Sequence, residues 1–125
     1  MISQLTIKNF KSIKELQIPC KRINLLIGEP NSGKSNILET LGFLSFLEYG
    51  KSLADFVRFD DMSNLFFDND LSKNITIKTN YVDKKLETIV LRFVHSMFTC
   101  VLKTPHSSGE IHLFSFDFEG KELSG

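Results

Sequence analysis

The segment Gly28-Glu29-Pro30-Asn31-Ser32-Gly33-Lys34-Ser35 limits the possible folds of this chain more than any other stretch. Its glycines, proline and asparagine punctuate regular structure, while both flanks are strongly apolar. Ahead of it, Arg22 to Ile27 is a nearly continuous apolar run, the pattern of a strand buried on both faces. Behind it, Ile37, Leu38, Leu41, Leu44 and Leu47 recur at helical spacing up to a C-cap at Gly50. A buried strand, a tight loop and a helix in that order predict an α/β fold.

The loop matches the phosphate-binding pattern at every fixed position, and it stands between strand and helix as that mechanism requires. Gly28 and Gly33 permit backbone conformations that a side chain forbids, so the N–H groups from Asn31 through Ser35 can converge on phosphate oxygens. The positive end of the following helix adds to this anion cradle. Lys34 is expected to reach the β- and γ-phosphates, offsetting their charge in the ground state and during transfer. The Ser35 hydroxyl is the expected Mg²⁺ ligand. Asn36 is either a contact to an adenine nucleotide or to the groups around its metal or, the favoured reading, a plain polar residue of the first helical turn. The bland alternative for the whole segment is a Gly-rich turn with an incidental lysine.

The rest of the chain reads as a single domain of 125 residues in three parts: a core over 1–50, a mixed helix and loop region over about 51–72, and an antiparallel β meander over about 73–125. Ile2, Leu5, Ile7 and Phe10 predict a first strand, and Ile13, Leu16 and Ile18 a second, ended by Pro19. Ile75, Ile77, Thr79 and Tyr81 alternate with polar neighbours. Leu86 to Val94, Met97 to Lys103 and Glu110 to Phe118 follow as three more strands, with turns near His95-Ser96 and from Pro105 to Gly109. Twelve Phe and no Trp put aromatic burial on a side chain with no polar handle, which points to packing rather than recognition.

Fifteen basic and fifteen acidic residues cancel, so the composition gives no support for a polyanion-binding surface. Cys20 and Cys100 are too few and too far apart to staple a fold, which favours a reducing cytoplasm. No signal-peptide pattern opens the chain, and its apolar stretches are too short to cross a bilayer.

Three stretches together carry a family resemblance: Ile7-Lys8-Asn9-Phe10-Lys11-Ser12-Ile13, Ile23-Asn24-Leu25-Leu26-Ile27-Gly28, and Asn31-Ser32-Gly33-Lys34-Ser35-Asn36-Ile37-Leu38-Glu39. They resemble the N-terminus of the ABC-type ATPases of the SMC, RecF and OLD group, which includes AAA15-like ATPases. The resemblance implies the N-terminal lobe of a P-loop NTPase, with a strand-loop-helix core and an antiparallel β-subdomain. It also implies Mg²⁺-dependent binding of ATP in preference to GTP, with hydrolysis in the complete enzyme, and a homodimer or a C-terminal ATPase lobe as partner. Work in DNA repair, chromosome organisation or phage defence follows by resemblance alone, as does any contact with nucleic acid. Lys34 is the catalytic candidate; Gly28, Asn31, Ser32, Gly33, Lys34, Ser35 and Asn36 are the nucleotide-binding candidates.

Hydrolysis in this group also needs an acidic strand end, a full signature loop and a γ-phosphate-sensing glutamine. Phe56-Val57-Arg58-Phe59-Asp60-Asp61 and Leu113-Phe114-Ser115-Phe116-Asp117 only imitate the first, and Glu122-Leu123-Ser124-Gly125 only imitates the start of the second. Both glutamines, Gln4 and Gln17, precede the loop. Two other readings stay open: a non-catalytic or truncated interaction module whose loop is structural, and a small P-loop kinase or GTPase, although no Asn-Lys-x-Asp segment is present. The basic stretch Lys8, Lys11, Lys14, Lys21 and Arg22 reads as solvated strand faces. His95, His106 and His112 read as turn or surface residues.

Overall fold

A computed structural model describes residues 2–19, 34–49, 52–81, 86–105 and 109–123. The expected strand over 22–27, the loop over 28–33 and the C-cap at Gly50 lie outside these residues. Within them run strands β1 (Ile2–Phe10) and β2 (Ile13–Pro19), helix α1 (Lys34–Tyr49), and strands β3 (Ile75–Tyr81), β4 (Leu86–Val94), β5 (Met97–Lys103) and β6 (Ile111–Phe116). Three short 3-10 turns, Leu53–Asp55, Met62–Leu65 and Phe67–Asn69, fill the mixed region.

The strands form one six-stranded sheet in the order β2-β1-β3-β4-β5-β6. Each neighbouring pair is antiparallel. The meander is therefore not a separate sheet: β3 pairs with β1, setting Ile77 opposite Ile7 and Thr79 opposite Leu5. Alternation fixes which face is buried, because a register slip of one residue would turn every apolar side chain to solvent. Leu5, Ile7, Ile75, Ile77, Ile89, Leu91, Phe98 and Cys100 point inward and are buried.

Helix α1 and the turns after it cover that inner face. The helix buries Ile37, Thr40, Phe43 and Phe46, whereas Leu38 is 41% exposed. Of the apolar residues at helical spacing, Leu41, Leu44 and Leu47 pack partly buried against the core. A helix apolar nearly all round has no preferred face of its own, and here the sheet selects the phenylalanines. Phe46 lies 5.1 Å from Phe114 and 5.7 Å from Phe116, centroid to centroid. A second aromatic group centres on Phe98, 4.7 Å from Phe93, 5.5 Å from Phe118 and 5.6 Å from Phe66. Such tilted pairs add to the stability that area burial alone supplies. Phe116 is fully buried and Phe114 packs against the core, whereas Phe118 keeps 41% of its surface exposed while its ring meets Phe93 and Phe98.

Gly42 is where α1 meets the first 3-10 turn: a Cβ there would lie 2.5 Å from the Phe56 carbonyl oxygen. At the other end, His95 and Ser96 take φ of 53° and 63°, the mirror-image geometry that joins twisted strands with two residues.

Candidate nucleotide-binding site

Lys34 and Ser35 are the first two residues of α1. Orphan N–H groups and the positive end of the helix dipole belong to any helix start, this one included. The first turn of α1 contains no acidic residue, so nothing on it opposes an anion. Gly28, Asn31, Ser32 and Gly33 lie outside the described residues.

Asn36 stands in the first turn of α1 and joins it to its surroundings by two hydrogen bonds. Its Nδ2 donates to the Ser12 hydroxyl, and its carbonyl accepts the Thr40 hydroxyl at 3.0 Å. The second bond satisfies Thr40, which is fully buried. One turn further on, Glu39 Oε1 accepts from Lys11 Nζ at 2.8 Å and from the Arg58 backbone N–H at 2.8 Å. Lys11 Nζ also donates to the Arg58 carbonyl oxygen. The turn between β1 and β2 and the loop around Arg58 thus both attach to the helix that opens with Lys34. Sequence reasoning missed this cluster; the one available signal was Glu39, the first acid within α1.

The acidic imitations have structural work. Asp60 and Asp61 stand in a loop that enters the Met62–Leu65 turn, not at a strand end. Asp61 caps that turn by accepting from the Ser63 N–H at 2.9 Å, while Asn64 Oδ1 takes the N–H groups of Asp60 at 2.8 Å and Asp61 at 3.1 Å. Asp117 follows β6 and accepts from the N–H groups of Glu119 at 3.0 Å and Lys121 at 2.9 Å. Glu122 bridges to Phe116, and the Leu123 N–H donates to the Ser115 carbonyl at 2.8 Å. That arrangement is extended backbone and not the start of a signature helix; Ser124 and Gly125 lie outside the described residues.

Several basic side chains are paired. Lys8 lies 3.7 Å from Glu15, and Lys103 lies 3.3 Å from Glu110, which also receives Arg92. Hydrogen bonding from Arg92, reinforced by Lys103, holds the Glu110 carboxyl below its ordinary range. His95 is exposed in its turn, and His112 Nε2 lies 2.7 Å from the Ser115 hydroxyl. His106 and Cys20 are outside the described residues. Among those described, no group of three or more His, Cys, Asp or Glu residues is placed to hold a metal. No described helix is long and apolar enough to cross a membrane.

The helix that opens on Lys34 and Ser35 packs its buried residues into the core beside the sheet. The chain belongs to the AAA ATPase domain family, whose model matches residues 1–123. It is similar to an ATP/GTP phosphatase of Helicobacter pylori, with 29% identity over 111 residues, 77% of this chain and 29% of that protein. It is also similar to the DNA repair protein RecN of Bacillus subtilis, with 37% identity over 62 residues, 49% of this chain and 10% of that protein. The chain therefore spans less than a third of the length of either relative. No solved structure matches it significantly.

Proposed function

We propose that the loop from Gly28 to Ser35 and the start of α1 bind the triphosphate of ATP. The observation that carries this reading is the coincidence of the motif's final Lys-Ser pair with the first two residues of α1. The backbone amides of Asn31, Ser32, Gly33, Lys34 and Ser35 cradle the phosphates, and Gly28 and Gly33 supply the conformational freedom this requires. Lys34 places its ammonium at the β- and γ-phosphates and is the catalytic residue. Ser35 holds Mg²⁺, which supplies charge neutralisation at the phosphate oxygens. Asn36 contributes by fixing the helix start through Ser12 rather than by touching the nucleotide.

In the complete enzyme this lobe hydrolyses ATP together with a second copy or a C-terminal ATPase lobe that brings the acidic strand end and the signature loop. The similarity to a DNA repair protein supports coupling to a DNA transaction, with chromosome organisation and phage defence in the same class. A cytoplasmic location accords with a sequence that holds only two cysteines, too few to staple a fold.

Calorimetric titration with ATP and Mg²⁺ tests the site. Lys34→Ala should weaken binding by about two orders of magnitude while leaving the thermal melt unchanged, because one charge-assisted contact is removed from a low-dielectric cradle. Equal binding by wild type and variant would assign the loop to a structural module.

A further inference from the structure

Glu39 and Lys11 form a buried link between the helix that starts the nucleotide site and two other parts of the fold. Their side chains are only 11% and 15% exposed, and the Nζ–Oε1 distance is 2.8 Å. Glu39 Oε1 accepts from two donors, Lys11 Nζ and the Arg58 N–H at 2.8 Å, and its ion pair with the Arg58 guanidinium is looser, with Nε at 3.8 Å. Lys11 is held from its other side as well. Its backbone takes φ of 52°, its N–H donates to the Leu65 carbonyl at 2.9 Å, and its ammonium also reaches the Arg58 carbonyl.

Asn36 and Glu39 are three residues apart and share one side of α1. Asn36 holds Ser12, and Glu39 holds Lys11. Two adjacent residues of the β1–β2 turn are therefore fastened to the helix within five residues of Lys34. Packing against the sheet turns Phe43 and Phe46 inward and sets the rotation of α1 coarsely. A helix end carrying phosphate-binding groups must be held to a fraction of an ångström, and directional polar contacts supply that finer constraint.

We propose that Glu39, with Lys11 and Ser12 opposite, is a positioning residue that sets the rotation and axial place of α1, and so the aim of Lys34 and Ser35 at the nucleotide. Glu39 is the first acid within α1, and its carboxylate is paired with the Lys11 ammonium. This inference rests on the ATP-binding reading above and assigns to that site the contacts that hold it in place.

The test is calorimetric titration of ATP with Mg²⁺ into wild type, Glu39→Gln, Lys11→Met, the double variant, Lys11→Arg and Ser12→Ala. Each titration is run at a temperature where circular dichroism shows the variant folded, and thermal melts are recorded separately. Glu39→Gln and Lys11→Met should each raise the ATP Kd on the order of tenfold, the range typical of groups that orient a binding residue without touching the ligand. The double variant should be no weaker than either single one. Lys11→Arg should restore much of the affinity, and Ser12→Ala, which removes only a hydroxyl, should show a smaller loss in the same direction.

Melting temperatures that fall while the Kd stays at the wild-type value would reduce the pair to a structural strut and overturn the proposal. Tighter ATP binding by Glu39→Gln would also overturn it, since the carboxylate would then act by repelling phosphate. An absence of ATP binding in wild type would remove the site itself and the positioning role with it, an outcome distinct from normal wild-type binding that the variants leave unchanged.

Discussion

Single side chains in this protein do what their burial and partners dictate. Cys100 is fully buried on the inner sheet face, and the loss of hydration pushes its thiol from an ordinary value of 9.0 up to about 12. In a Cys20→Ser background, which leaves Cys100 as the sole cysteine, Ellman's reagent at pH 8 should react only as fast as the protein unfolds. Prompt reaction would place the thiol at the surface. The sign for stability follows: above about pH 9 the unfolded thiol ionises while the folded one stays protonated until about 12, so stability should fall across that interval. Thr40 shows the complementary case. Its hydroxyl is buried without cost because the carbonyl of Asn36, four residues back, accepts it at 3.0 Å.

At the scale of elements, the strands were legible because the period-two pattern is local. The predicted limits of β4 (Leu86–Val94) and β5 (Met97–Lys103) agree with the observed ones. The His95-Ser96 turn was likewise readable from the break between two apolar runs. Helix α1 was legible as a helix but not in its orientation, because leucines and phenylalanines surround it and the sheet decides between them. Its closest approach gives a sharp expectation at Gly42. Alanine is favoured over glycine inside a helix by about 1 kcal/mol. The added Cβ would nevertheless lie 2.5 Å from a backbone oxygen that cannot swing aside. Overpacking of this kind costs about 1–3 kcal/mol, so Gly42→Ala should lower the urea midpoint despite the propensity gain. A raised midpoint would mean that α1 and the Phe56 segment are farther apart.

For the molecule as a whole, one sheet and one covering layer share a core in which Phe46 links helix to sheet. Its ring meets Phe43, Phe56, Phe114 and Phe116 from the helix, the first 3-10 region and β6. Phe46→Ala should cost about 3–5 kcal/mol, measured by equilibrium urea unfolding, since a buried ring among other rings leaves a cavity that rigid neighbours cannot fill. A cost below 1 kcal/mol would show that the layer is loosely packed. The pairing of β1 with β3 belongs to this scale too, as does the Lys11–Glu39 contact: both join residues far apart in the chain, and no local pattern encodes such partners.

The amino-acid order alone determined the strands of the meander, the helix after the phosphate-loop motif, and the residues that make this chain a member of an ATPase family. Those properties depend on neighbours within a turn or two, where spacing and side-chain type act directly. Tertiary structure alone decided that β1 joins the meander, that α1 turns Phe43 and Phe46 inward, that Asp61 and Asp117 serve turns, and that Asn36 and Glu39 hold the β1–β2 turn. These outcomes depend on which surfaces and charges meet once the chain has closed on itself, a competition among distant partners that local sequence does not rank.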